Sequence, residues 1–443
     1  MALKLRPDFV WGASTSAYQI EGAAAEGGRG PSIWDTHSHT QGRTARGETG
    51  DVAADHYHRW AEDVGLMTLL GLGAYRFSLS WSRLLPKGRG AVNPDGLAFY
   101  DRLIDALLEA GITPWICLYH WDLPQGLDDM GGWTNRDIAG WFADYALLAA
   151  RKFGDRVKHW ATFNEPNVST FFGYAMAWNA PAANNPLLYL RAAHHVNLAH
   201  GAAIDVLRDW VKGASLGVIH NRQITFGSTT SAEDARAATL LDAHWNGIFP
   251  DPQFLGQYPD VLATLMEPHM QAGDLARICR PLDWFGLNHY GPIYARADHD
   301  HPLGFSWGDG PAEPPHPLVG WAIHPEMFKD ELLLLTHRYR VPVYVTENGC
   351  GHSPETVDDT GKVDDPYRIA YLRDYIGAME QAVAEGADVR GYFVWSLLDA
   401  YEWGSGYGNP FGLIHVDFAG TLNRTIKESG YWYARLIRTG ELG

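Results

Sequence analysis

The sequence predicts an α/β fold, a single (β/α)8 barrel with extended loops after its strands and one catalytic domain over residues 1–443. Three observations point there. Short runs, apolar through their length, recur eight times along the chain. Such runs fit strands buried on both faces, as in a parallel sheet. Longer amphipathic stretches separate them, which is the βα alternation of a parallel fold. No Gly-rich dinucleotide fingerprint follows an early strand, which argues against the open doubly wound sheet.

In chain order the strands are expected at 9–13, 74–78, 113–118, 160–163, 215–220, 284–287, 343–346 and 391–395. The helices between them are expected to include 53–72, 95–110, 136–153, 186–210, 325–339 and 365–385. Residues 298–317, rich in Pro, Gly, His and Asp, read as one long loop on the barrel rather than an interdomain linker. A chain of 443 residues is long for one domain but within the range of a barrel with insertions.

Composition removes several functions. With 35 basic and 52 acidic residues the formal charge is −17, so phosphate backbones are repelled and nucleic acid is excluded as a partner. No run approaches the ~20 apolar residues of a membrane-spanning helix. The N-terminal stretch lacks the apolar core and cleavage pattern of a secretory signal, and Cys117, Cys279 and Cys350 cannot all pair. A reducing, cytoplasmic location is the expectation. The Asp298-His299-Asp300-His301 run reads as a solvated loop, and neither a metal nor an organic cofactor is called for.

In a barrel the chemistry sits at the C-terminal ends of the strands. Reading those ends gives Gln19 after strand 1 and Arg76 in strand 2. His120 and Trp121 end strand 3, Asn164 and Glu165 strand 4, and Asn288 and Tyr290 strand 6. Glu347 ends strand 7 and Trp395 strand 8. Glu165 and Glu347 each follow an apolar strand directly, where an unused charge is costly. One such glutamate could simply pair with a barrel arginine. Two facing one pocket are what glycoside hydrolysis requires, one protonated and one ionised. Sugars present hydroxyls around a weakly apolar face, and amide, imidazole and carboxylate groups together with stacked rings suit them. Gln19, His120, Asn164 and Glu402 supply the first kind; Trp121, Trp395, Trp403 and Phe411 supply the second.

Six stretches carry a family resemblance. They are Phe9 to Gly22 (FVWGASTSAYQIEG), Tyr75 to Arg83 (YRFSLSWSR) and Leu118 to Gln125 (LYHWDLPQ), then Thr162 to Pro166 (TFNEP), Thr346 to Gly349 (TENG) and Trp395 to Asp399 (WSLLD). Together and in this order they resemble glycoside hydrolase family 1, which includes β-glucosidases, β-galactosidases and 6-phospho-β-glycosidases. The resemblance covers nearly the whole chain. It implies that Glu165 is the acid/base and Glu347 the nucleophile. Asn164 would bond the sugar 2-hydroxyl, and Arg76 and Tyr290 would lie against the nucleophile, with Asn288 in the same supporting set. Gln19, His120, Glu402 and Trp403 would take the remaining hydroxyls. Trp395 would be the stacking floor, Phe411 the wall near C6 and Trp321 the leaving-group platform, with Trp121 and Trp178 also in the binding set. Departures occur at His289, Ala400-Tyr401, Pro410 and Asn179-Ala180-Pro181-Ala182. The last lies toward the leaving-group side.

The resulting expectation is a retaining exo-β-glucosidase acting on β-glucosides and cello-oligosaccharides by double displacement. Its carboxyls would stand about 5–5.5 Å apart. Arg76 should hold Glu347 ionised while Glu165 has a raised pKa. The competing readings are a β-galactosidase or β-fucosidase, a transglycosidase, a 6-phospho-β-glycosidase and an inactive sugar-binding protein.

Overall fold

The structure, a computed structural model, describes residues 3–310, 321–351 and 355–443. Eight parallel strands close into a barrel. We label them β1 (Val10–Ser14), β2 (Ala74–Ser78), β3 (Thr113–Tyr119), β4 (His159–Asn164), β5 (Ser215–Asn221), β6 (Trp284–Asn288), β7 (Val343–Asn348) and β8 (Val389–Trp395). Each strand neighbours its successor in sequence, and β8 closes onto β1 through Val10↔Gly391 to Ser14↔Trp395. Every expected strand is present, most of them a residue or two longer than the apolar run alone marks.

The helices lie outside. They include α1 (His56–Leu70), α2 (Pro94–Glu109), α3 (Ile138–Phe153), α4 (Pro186–Trp210), α5 (Ala232–Asp242), α6 (Pro325–Tyr339), α7 (Pro366–Ala384) and α8 (Glu428–Thr439). Local chemistry fixes their starts. Asn185 accepts from the amides of Leu187 and Leu188 ahead of α4, and Asn93 accepts from Asp95 ahead of α2. Both helices carry Pro at N1, where its missing N–H costs nothing. Leu70 ends α1 because Gly71 takes a left-handed conformation.

The lower barrel is plugged by Ala74, Trp115, Cys117, Ala161, Ile219, Trp284 and Phe393. Close packing there needs glycine: a Cβ on Gly217 would stand 2.3 Å from the Trp284 ring. Two register shifts sit near the upper rim, on β4 between Ala161 and Asn164 and on β7 between Val345 and Glu347. Such irregularities re-aim side chains, and here they precede the two glutamates.

The 298–317 stretch is not wholly loop. Phe305–Trp307 forms a strand against Ile293–Ala297, which also pairs with Thr225–Gly227. Its buried Phe305 and half-buried Trp307 pack on Phe171 and on Phe172 and Trp245, which the polar composition concealed. Residues 311–317 lie outside the described residues. A second small hairpin joins Ile414–Val416 to Arg424–Ile426. Among the described residues no helix is long and apolar enough to cross a membrane.

Candidate active site

A cavity of about 400 Å³ opens at the C-terminal ends of the barrel strands. Glu165 and Glu347 both line it while remaining 4% and 3% exposed. Their surroundings differ. Arg76 Nη1 donates to Glu347 Oε1 at 2.7 Å, and the Tyr290 hydroxyl donates to Oε2 at 2.8 Å. Among the described residues no cation bonds Glu165. Its Oε1 accepts two amide hydrogen bonds of 2.9 Å, from Asn221 and Asn288.

The two carboxylates belong to one network. Asn288 also donates to Asn164 Oδ1 at 3.0 Å, and Arg76 Nη2 donates to the same oxygen at 2.5 Å. Asn164 Nδ2 in turn bonds His120 Nε2 at 3.1 Å, and the Trp121 indole donates to the Asn164 carbonyl at 2.9 Å. The amide nitrogen only donates, so His120 Nε2 is the acceptor and its ring proton sits on Nδ1. Burial and the Arg76 charge push the His120 pKa well down, which keeps the ring neutral.

Burial raises the pKa of both glutamates. For Glu347 it is opposed by the Arg76 charge and by hydrogen bonds from Arg76, Tyr290 and Asn288. The cation expected to hold Glu347 ionised therefore competes with desolvation, and the carboxyl still lies above its usual range. For Glu165 the Glu347 charge adds to burial, and its pKa is pushed up to about 8. At neutral pH the proton therefore belongs on Glu165.

Three cavity residues have left-handed backbone. Glu165 has φ 46° and ψ 59°, with Pro166 opening a short helix after it. Trp121 and Trp403 also have positive φ, at 81° and 52°. Left-handed backbone costs a non-glycine residue ~1–2 kcal/mol and persists where surrounding contacts hold it. The Trp395–Ser396 peptide is cis.

The other residues singled out in the sequence fall into layers. His120, Trp121, Tyr290, Trp321, Trp395, Glu402, Trp403, Phe411 and Trp178 line the cavity. Tyr290, Trp395 and Phe411 form one apolar cluster with Trp321 packed on it, and Trp321 stacks on Tyr290 at 4.8 Å. Trp403 lies 4.5 Å from Trp121 and 6.0 Å from His120. Gln19, Arg76, Asn164 and Asn288 are buried beneath this lining. The Gln19 amide is already engaged, accepting from Ser16 Oγ at 2.6 Å and donating to the Tyr401 carbonyl at 2.9 Å. Glu402 Oε1 is buried without a partner among the described residues, and burial together with the Glu347 charge holds its pKa well up. Trp178, 54% exposed, stacks on Phe172 at the mouth.

Several lining residues escaped the sequence reading. Asn221 ends β5, one residue past the expected strand at 215–220, and meets the same rule as the others. Phe172, Trp245 and Trp307 form a second aromatic wall continuous with Trp178. Gln223 is 1% exposed, and its amide oxygen has no partner. Among the described residues no group of three His, Cys, Asp or Glu side chains is arranged to hold a metal.

Comparison with known proteins agrees over the full length. The model for Glycosyl hydrolase family 1 matches residues 1–442. β-Glucosidase A of Thermotoga maritima is 42% identical over 448 residues, covering 100% of both chains. A bifunctional β-D-glucosidase/β-D-fucosidase of Bifidobacterium breve is 42% identical, covering 97% of each. The solved structure of the family 1 β-glucosidase from T. maritima superposes with a TM-score of 0.94 at 41% identity, covering 99% of each chain. The chain belongs to glycosyl hydrolase family 1, and it is a retaining β-glucosidase.

Proposed function

We propose that in this family member Glu347 is the nucleophile and Glu165 the acid/base of a double displacement on terminal β-D-glucosyl residues. The asymmetry of the buried pair carries this reading: Glu347 touches a cation and a hydroxyl donor, whereas among the described residues Glu165 Oε1 accepts from two amides, and Glu165 holds its proton to about pH 8. In the first step a Glu347 oxygen bonds C1. The glycosidic C1–O bond breaks, and the Glu165 proton goes to the leaving oxygen. Forming the ester cancels the Glu347 charge, one of the two causes that raise the Glu165 pKa. Glu165 is then a base strong enough to take a proton from water as that water attacks C1 and the C1–Glu347 ester bond breaks, freeing the Glu347 carboxylate. Two inversions return the β configuration.

Gln19, His120, Asn164, Glu402 and Trp403 would bind the sugar hydroxyls, with Trp121 bracing Asn164 and Arg76, Asn288 and Tyr290 supporting the carboxylates. Trp395 would be the floor and Phe411 the wall near C6. Trp321 and Trp178 would take the leaving group, joined by Phe172, Trp245 and Trp307. This arrangement suits plain β-glucosides and cello-oligosaccharides. β-Fucosides and β-galactosides would react more weakly, in line with the dual activity named for the B. breve relative. The whole chain would act as one catalytic barrel, and three unpaired cysteines support a cytoplasmic location.

A panel of p-nitrophenyl glycosides tests the reading. The β-glucoside should be hydrolysed, and Glu347→Gly should abolish turnover while azide restores it with an α-glucosyl azide product. Retention of more than about a tenth of the activity by Glu347→Gly would remove the nucleophile assignment.

A further inference from the structure

Glu165 must present its proton toward the leaving oxygen, and a carboxyl has two places to put it. Both amide donors reach the same oxygen: Asn221 Nδ2 and Asn288 Nδ2 each stand 2.9 Å from Oε1. Among the described residues no partner takes Oε2. An oxygen that accepts two N–H groups acts as the carbonyl of the acid, so the O–H is left on Oε2.

Neither amide could do this if it were turned over. A flipped asparagine would offer its oxygen to Oε1 and draw the proton there. Each is locked by a donor on its far side. Thr346 Oγ1 donates to Asn288 Oδ1 at 2.7 Å, and the Trp245 indole N–H donates to Asn221 Oδ1 at 3.2 Å. Trp245 and Asn221 are 3% and 4% exposed, and Asn167 Nδ2 bonds both of their carbonyls.

We infer that Trp245 is a positioning residue for the acid/base, acting through Asn221 to hold the Glu165 proton on Oε2. The inference rests on the role proposed for Glu165. The titratable and charged groups around that carboxyl are Glu347 and Arg76, with His120, Tyr290 and Glu402 on the same cavity; none of them bonds either Glu165 oxygen.

The test is a double-mutant cycle of Trp245→Phe and Asn221→Ala, read on two substrates and across pH. An N–H on Oε1 favours the carboxylate, so losing it should move the basic limb of kcat/KM upward by about half a pH unit or more. Cellobiose, which needs the proton, should lose ~10-fold more kcat/KM than 2,4-dinitrophenyl β-glucoside, which does not. Because both changes break one relay, the double variant should show little beyond Asn221→Ala. The dinitrophenolate burst reports that each variant still folds and forms the glycosyl-enzyme. Additive effects, equal losses on both substrates or an unmoved basic limb would overturn the relay. If Glu165→Ala itself lost equally on the two substrates, the acid/base role would fail instead.

Discussion

Tyr290 and Arg76 grip opposite oxygens of Glu347, the hydroxyl on Oε2 at 2.8 Å and the guanidinium on Oε1 at 2.7 Å. The nucleophile is therefore aimed by two donors, one within β2 and one in the loop just past β6. Burial and the Glu347 charge raise the Tyr290 pKa well above its usual value, so the phenol stays a donor throughout the working pH range.

Tyr290→Phe should expose this aim. The variant keeps the ring that stacks on Trp321 and removes only the donor. A lost hydrogen bond to a charged group costs ~1.5–3 kcal/mol, which corresponds to ~10–100-fold in kcat/KM. Because the bond favours the carboxylate, its loss should raise the Glu347 pKa and move the acid limb of the pH–rate profile upward. Profiles with p-nitrophenyl β-glucoside measure this, and an acid limb that stays in place would show that Tyr290 does not bond the working nucleophile.

Glu165 gives a prediction about stability as well as rate. Its folded pKa of about 8 lies above the ordinary carboxyl value of 4.5, so the folded protein binds the more protons between those pH values. Stability contributed by this group is present at low pH and is lost as pH rises through the folded pKa. Glu165→Gln stays neutral and should escape that loss. Its melting temperature relative to the native enzyme should climb steadily from pH 5 to pH 8, and a constant difference would refute the raised pKa. The basic limb of kcat/KM should disappear in the same variant.

Much of this was legible in the sequence because barrel strands leave a plain trace. Each is a short apolar run with a polar residue where the chain leaves the sheet, and that rule reached His120, Asn164, Glu165, Asn288 and Glu347, while Arg76 stands out as a charge inside an apolar strand. The rule missed Asn221 because His220 closes the apolar run one residue early. The wall of Phe172, Trp245 and Trp307 was hidden for another reason. Phe172 and Trp245 fall in π-helical turns and Trp307 in a short strand, where neither a 3.6- nor a two-residue period marks an inward face. Nor does sequence reveal depth: Gln19, proposed to bind a sugar hydroxyl, is fully buried beneath the lining with both amide ends already engaged.

Arg368 should matter although it touches no substrate position. This buried guanidinium pairs with Asp365 and with Glu355, the latter at 2.8 Å, and donates to the carbonyls of Cys350 at 3.2 Å and Pro410 at 2.6 Å. It thereby ties the loop after Glu347 to the loop that carries Phe411. Arg368→Met would leave two carboxylates buried without their cation, a change that costs ~3–5 kcal/mol. A clear drop in the denaturation midpoint with a raised KM is expected. Unchanged stability would mean that Lys427, paired with Glu355 and Asp399, suffices alone.

Glu402 separates plain from phosphorylated sugars. Glu402 lines the cavity, its buried Oε1 has no partner among the described residues, and a carboxyl oxygen can accept from hydroxyl donors such as O4 and O6 of the terminal sugar. A phosphate on O6 would bury a dianion against this carboxyl in a dry pocket where burial already disfavours charge. The following residues Trp403 to Phe411 include no Lys or Arg to compensate. Glu402→Ser should therefore lower kcat/KM for p-nitrophenyl β-glucoside by ~10–100-fold, through hydrogen bonds that tighten in the transition state. The 6-deoxy analogue, which offers one hydroxyl fewer, should lose less, so the ratio between the two substrates isolates the O6 contact. The native enzyme should reject the β-glucoside 6-phosphate. A native preference for that phosphate, or equal losses on both sugars in Glu402→Ser, would place Glu402 away from the sugar's C6 end.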